Sequence, residues 1–318
     1  MIGTLIFSAL AVLFLMGLFA PFETLGWWAG WYGEKPGERD LLSSADVPES
    51  KAKQFVIYLT GIGGTSPNTY SPLERGFLAK LKDHLPDAEL VDDVFPYAAS
   101  NKALTGERFF SWFWRRLDTF RGRGAASIIS SLINLRNLWQ VLVSSDSRFG
   151  PLYNYATAQH VLGKLLQHGY RVGSGVPITL IGYSGGGQIA VGVAPLLEEA
   201  AKARVHIVSL GGVMSSNENI LEVDSLTHIY GTKDSVQRWG YIMFPQRWTF
   251  FPWTPWNRAR ERGIIRRVLI GDMVHTGKNG YLDPEATLAN GQSYLDKTAE
   301  LVTSLVNDPN ALQHEAVK

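Results

Sequence analysis

From Gln54 onward, short β-branched runs alternate with longer stretches of helical spacing, and no other feature constrains the fold as strongly. The runs are Phe55 to Leu59, Glu89 to Val91, Ile178 to Ile181, Val205 to Val208, Thr227 to Tyr230 and Val268 to Ile270. Between and after them, Leu73 to Leu85, Tyr155 to His168, Gln188 to Ala203 and Gly291 to Val306 carry helical periodicity. Strands that are apolar on both faces need cover on both sides of their sheet. Strands separated by helices are joined by crossovers, which make neighbours parallel. The expected fold class is therefore α/β, with a doubly wound, mainly parallel sheet.

Two segments break the alternation. Residues 100–154 are long for a crossover and contain Phe109-Phe110-Ser111-Trp112-Phe113-Trp114-Arg115-Arg116. Residues 235–262 combine Trp239, Trp248, Phe250, Phe251, Trp253 and Trp256 with Arg238, Arg247, Arg258, Arg260 and Arg262. Aromatics mixed with arginine suit a bilayer interface or a mobile cover over an apolar cleft, and equally a packed insertion with a solvated basic edge.

The N-terminal segment differs in kind. Residues 1–22 contain no charged side chain and, as a helix, extend about 30 Å, enough to cross a bilayer. Trp27, Trp28, Trp31 and Tyr32 follow in the manner of an interfacial belt. No basic residue precedes the apolar stretch and Pro21 follows Ala20, which argues against a cleaved signal peptide. An uncleaved transmembrane anchor is expected over 1–22, then an interfacial segment and polar linker over 23–53, then one domain over 54–318. Lys35 and Arg39 on the C-terminal flank favour a cytoplasmic domain.

Charge and cysteine usage exclude several function classes. Thirty basic and 29 acidic residues give a net charge of +1, so no global field recruits nucleic acid. The chain has no cysteine, which removes disulfides, thiolate metal sites and cysteine nucleophiles. The seven histidines show no close metal-ligand spacing. Gly61-x-Gly63-x-x-Ser66 lacks the third glycine of a dinucleotide fingerprint, and no phosphate-loop pattern exists.

One motif carries chemistry. Gly182-Tyr183-Ser184-Gly185-Gly186 follows the apolar run ending at Ile181 and opens a helical stretch. Such a turn is so sharp that side chains two positions either side of its serine collide, hence glycine there. A serine hydroxyl needs a base within reach and a group that orients the base. An acid follows the strand Leu226 to Tyr230 in Gly231-Thr232-Lys233-Asp234, and a histidine follows Ile270 in Gly271-Asp272-Met273-Val274-His275. Both fall in loops at the carboxyl edge of the sheet.

On these residues, in the order Ser, Asp, His, the chain resembles the α/β-hydrolase family from about Gln54 to its C-terminal helix. The resemblance implies Ser184 as nucleophile, His275 as general base and acid, and Asp234 as orienting carboxylate. It implies an oxyanion hole from the Gly185 backbone N–H and a second N–H in the loop Thr60 to Thr65, where Ile62 is first by position and Gly63 next. The family often has His-Gly at this loop, and Thr60-Gly61 departs from it. Asp224 and Asp272 stand as alternative carboxylates, while His206 and His228 lie inside apolar strands and read as core or sheet residues.

The implied activity is hydrolysis of an ester or acyl bond through an acyl-enzyme, without cofactor or metal. The anchor and the aromatic-arginine segments favour a lipid or other hydrophobic ester as substrate. Two alternatives remain: acyl transfer, and a non-catalytic membrane-tethered scaffold that keeps the fold.

Overall fold

The computed structural model describes residues 2–30, 47–67, 69–98 and 126–311; within the N-terminal helix it describes the side chains of Phe7, Ala11, Phe14 and most residues from Leu15 to Trp28. Residues 31–46 of the expected interfacial segment and linker (23–53), and the aromatic-arginine run over 109–123, lie outside the described residues.

Six strands form one parallel sheet in the order β2-β1-β3-β4-β5-β6. They are β1 (Gln54–Leu59), β2 (Ala88–Val91), β3 (Ile178–Tyr183), β4 (Val205–Leu210), β5 (Ser225–Gly231) and β6 (Ile265–Gly271). Every pairing is parallel, and the β1–β3 register sets Phe55 opposite Ile178 and Leu59 opposite Gly182. The central strand β3 is buried along its whole length, whereas edge strand β6 alternates between buried and open positions. Continuous apolar runs thus mark the middle of the sheet and alternation marks its rim.

Helices cover both faces. One side carries α3 (Ala126–Ser145), α4 (Gly150–Gln167), α5 (Gly186–Ala201) and α7 (Pro255–Glu261), whose buried residues share a core with Phe55, Ile57 and Leu180. The other carries α2 (Pro72–His84) and α8 (Tyr294–Asn307), packed on Val56, Tyr58, Ile181 and Val208. α2 begins with a capping box: the Ser71 hydroxyl accepts from the Glu74 N–H at 3.2 Å, and Glu74 accepts from the Ser71 N–H at 3.1 Å. α6 (Ser235–Met243) follows β5 and is capped by the Asp234 carboxylate.

Because β1 connects outward to β2 and the chain then returns to build β3 to β6 on the other side, connections leave β1 and β3 in opposite directions. The crevice beyond the carboxyl ends of these two strands is the topological switch point, where open α/β sheets bind ligands.

The described part of the segment 100–154 fits the packed-insertion reading. Residues 126–145 form a helix whose Asn137, Gln140 and Ser144 are buried against the domain, so this part is packed structure. Residues 235–262 likewise form two short helices and a 3₁₀ turn, with Trp256 fully buried.

The expected anchor falls within α1 (Ile2–Trp28). Among the described residues no helix is long and apolar enough to cross a membrane. The C-terminal half of α1 docks on the domain: Ala20 joins the core, Thr24 is buried, and Gly17 lies so close to the Trp139 ring that a Cβ there would stand 2.9 Å from it. A free-standing anchor is thus not the arrangement of this half of the helix.

His168 at the end of α4 ties helix to sheet, with Nδ1 2.8 Å from Glu89 and Nε2 3.4 Å from Asp93. The Asp93 bond, against the opposing cost of burial, and the Glu89 bond raise its pKa to about 8. A raised imidazolium stabilises the fold fully below its unfolded value of 6.5 and loses that contribution as pH rises through about 8. The half-buried pair is worth about 1 kcal/mol after solvent screening. His168→Gln is expected to lower unfolding free energy more below pH 6.5 than above about pH 8; urea titrations showing an equal deficit at both would refute the pairing.

Candidate active site

Ser184 occupies the turn between β3 and α5 with φ of 54°, a left-handed conformation unusual for a non-glycine residue. The neighbouring glycines allow it. A Cβ on Gly182 would approach the backbone of Gly186 and Gly187 to 2.7 Å, and one on Gly186 would sit 2.3 Å from the Leu59 carbonyl oxygen of β1. The serine is thereby raised at the switch point, 6% exposed, beside the loop that follows β1. Gly61 of that loop adjoins it, since a Cβ there would stand 3.4 Å from Ser184 Cβ.

The structure brings Ser184, His275 and Asp234 into one hydrogen-bonded chain. His275 Nε2 is 2.8 Å from Ser184 Oγ, and Nδ1 is 2.9 Å from Asp234 Oδ2. An ionised carboxylate only accepts, so Nδ1 carries the proton and Nε2 is free to accept from the serine hydroxyl. The imidazole lies against Tyr183 with ring centroids 5.7 Å apart, and the Tyr183 hydroxyl donates to the His275 carbonyl at 2.7 Å.

Asp234 is fully buried. Burial alone raises a carboxyl pKa, but here bonds from His275, Tyr281 and the Gln237 N–H outweigh it and hold Asp234 below the usual carboxylate value. Its Oδ2 accepts from the Tyr281 hydroxyl at 2.6 Å, and its Oδ1 accepts from the Gln237 N–H at 3.0 Å at the start of α6. The dipole of that helix also favours the anion. Tyr281 accepts in turn from the Gly231 N–H at 2.9 Å, and burial keeps its phenol protonated and donating. Sequence reasoning missed Tyr281, which lies 47 residues from its partner with no spacing signal.

The two rival carboxylates lie elsewhere. Asp224 stands 3.3 Å from His206 Nδ1, before β5 begins. Asp272 is at the surface, where it accepts from Thr232 at 2.5 Å and pairs with Lys233 at 3.1 Å. His228 is fully buried between Ser209 and Gln237, at 3.2 and 3.4 Å, and burial first, then the Arg247 charge, lower its pKa to about 3. It is a neutral core group.

The loop after β1 is held from outside. The Thr60 hydroxyl donates to Glu74 at 2.5 Å, and the Thr60 carbonyl accepts from the Tyr97 hydroxyl at 2.7 Å. Asn137 of α3, fully buried, donates from Nδ2 to both the Ile62 carbonyl at 2.6 Å and the Gly64 carbonyl at 2.8 Å. Its own Oδ1 accepts from Arg136 at 2.9 Å. The Gly64 N–H closes the turn on the Gly61 carbonyl at 3.1 Å. The Ile62 side chain meets the elbow, since a Cβ on Gly185 would lie 2.7 Å from Ile62 Cγ2, whereas Gly63 faces Asn134 of α3. Neither the Gly185 nor the Ile62 N–H donates to a backbone carbonyl among the described residues. Nothing in the sequence pattern marked Asn137, Tyr97 or Glu74.

Such a chain can accept the proton of a serine hydroxyl. Among the described residues no group of three or more histidine, aspartate or glutamate side chains is placed to hold a metal ion. No family model matches this chain, and no curated protein matches it.

The glycine contacts set a test whose sign is informative. Gly→Ala early in an open helix is favourable by roughly 0.5–1 kcal/mol. At Gly186 the Leu59 oxygen forbids the methyl, so Gly186→Ala is expected to destabilise by about 1–3 kcal/mol in chemical denaturation. A stabilised variant would mean that the elbow does not abut β1.

Proposed function

We propose that the protein is a serine hydrolase of α/β-hydrolase type that cleaves an ester or acyl bond through a covalent acyl-enzyme. The observation that carries this reading is the unbroken chain from Ser184 Oγ through His275 to a buried, four-bonded environment around Asp234 and Tyr281. The switch-point position and the departures of Thr60-Gly61 from His-Gly are compatible with it, because Glu74, Tyr97 and Asn137 position the loop without a histidine.

In this reading Ser184 Oγ attacks the carbonyl carbon while its proton passes to His275 Nε2. The carbonyl π electrons move onto oxygen, and the N–H groups of Gly185 and Ile62 receive the resulting anion. Collapse of the tetrahedral intermediate breaks the bond to the leaving group, which takes the proton from His275. A water then gives its proton to His275 and attacks the acyl carbon; the second collapse releases the acid and returns the proton to Ser184 Oγ. Asp234 stays ionised throughout, holding the imidazole tautomer and offsetting its transient positive charge. No cofactor enters these steps.

A hydrophobic ester or lipid is the proposed substrate class, and a membrane the proposed setting, with the domain on the cytoplasmic side. In support, α1 exposes Phe7, Phe14, Leu15, Leu18, Phe19 and Phe22 on its described surface, an apolar face that its docking on the domain leaves uncovered.

A fluorophosphonate probe tests the reading. Folded protein is expected to be labelled, Ser184→Ala to be unlabelled, and Asp234→Asn to react about 10³–10⁴-fold more slowly because its amide favours the wrong imidazole tautomer. Labelling that persists in Ser184→Ala would refute the nucleophile. Absence of any labelling would leave the fold as a scaffold.

A further inference from the structure

Residues 236–253 present a second apolar surface with a distinct chemistry. On α6, Val236, Trp239 and Ile242 point outward, the latter two 54% and 65% exposed. In the following loop Trp248, Phe250 and Trp253 are also exposed, Phe250 at 79%. This loop is firmly built. Phe251 stacks with Trp248 at 6.3 Å and meets Phe250 and Trp253 edge-on at 5.3 and 5.6 Å. The buried Asn257 donates to the Trp248 and Phe251 carbonyls at 2.7 and 3.0 Å, while Trp248 Nε1 donates to the Tyr241 carbonyl at 2.6 Å. The rings are thus supported by one another and by these bonds while Trp248, Phe250 and Trp253 stay exposed.

A cavity of about 430 Å³ opens beside the same loop, lined by Thr249 and Pro252 between the exposed rings and by Arg260, Glu261 and Arg267. Neither arginine makes an ion pair among the described residues; Arg267 instead lies 4.5 Å over the Tyr230 ring. Across 235–262 the exposed charges are Arg238, Arg258, Arg260 and Arg262 against Glu261 alone. Large rings at the rim of a net cationic cavity match the layers of an anionic bilayer: rings at the headgroup and acyl boundary, guanidiniums at the phosphates. The sheet face beneath is the one on which α1 packs, since Ala20 and Trp256 belong to one core.

We propose that this surface docks on an anionic phospholipid bilayer, with the Arg260–Arg267 cavity receiving a phosphate headgroup and Trp248, Phe250 and Trp253 entering the interface. This contact is separate from the α1 helix and does not depend on Ser184 chemistry.

The absence of native cysteine makes a site-specific test direct. Full chains carrying Phe250→Cys or, as control, the exposed Val172→Cys are labelled with a polarity-sensitive fluorophore and mixed with vesicles. With equal parts of phosphatidylglycerol and phosphatidylcholine, the label at 250 is expected to shift to the blue and be quenched by doxyl lipid, while that at 172 is not. Pure phosphatidylcholine is expected to give a much weaker response. Arg260→Gln and Arg267→Gln are each expected to weaken docking about fivefold. A label at 250 as wet as that at 172 on phosphatidylglycerol vesicles would overturn the proposal, as would an equal response on phosphatidylcholine. A response to inorganic phosphate without vesicles would overturn it in favour of a soluble ligand. The lipid comparison retains both arginines, so it stands even if the substituted chains fail to fold.

Discussion

The close backbone contact at the β1–β3 switch is the constraint on which the candidate site depends. α5 begins directly behind the end of β1, with the Gly186 Cα against the Leu59 carbonyl and Gly182 against the first residues of the same helix. No side chain fits between these backbones, so hard-sphere exclusion sets how closely elbow and loop approach, while the β1–β3 ladder and the bonds from Asn137 and Tyr97 hold them there. That contact lifts Ser184 into its left-handed conformation and sets Gly61 beside it. The parallel register then delivers the ends of β5 and β6 to the same rim, bringing Asp234 and His275 within bonding distance of the serine.

Two buried ions in this chain are stabilised by different means. Asp234 has no exposure and is surrounded by donors: an imidazole, a phenol and a helix N-terminal amide. Arg247 is equally buried, yet its guanidinium rests 3.8 Å over the Trp256 ring and 4.5 Å over Tyr241 and donates to the Met214 carbonyl at 2.9 Å. Burial lowers its pKa only to about 10, so it remains charged near neutral pH. The carboxylate is held by directional bonds that fix one orientation, as an orienting group requires. The guanidinium is held by ring faces, which tolerate sliding and suit a packing role under the aromatic loop.

The sheet was legible in the sequence because its information is local. Continuous apolar runs over β1, β3 and β4 follow from burial on both faces, and the order of Ser184, Asp234 and His275 followed from where those runs end. α3 was not legible, for a physical reason. Its inward positions mix Asn137, Gln140 and Ser144 with Ile133, Val141 and Val143, so the apolar period that marks a packed helix is broken by buried polar groups. Tyr281 was invisible in another way, since a phenol reaching a carboxylate across the fold has no sequence period at all. Nor did composition separate Trp256, fully buried, from Phe250, which is among the most open side chains described.

Two buried amides of α3, Asn137 and Gln140, link the N-terminal helix to the candidate site. Asn137 on this helix holds the two loop carbonyls, and Trp139 and Gln140, less than one turn further on, meet α1 at Gly17 and at the Ala20 carbonyl. One rigid helical turn therefore touches both α1 and the loop that carries the Ile62 N–H. Side-chain amide bonds of 2.6 and 2.8 Å tolerate little displacement before they weaken. The seating of α1 is thus mechanically coupled to the candidate site: a shift of α3 by an ångström would move the loop after β1 while leaving Ser184, His275 and Asp234, which are carried by the ends of the strands, where they are.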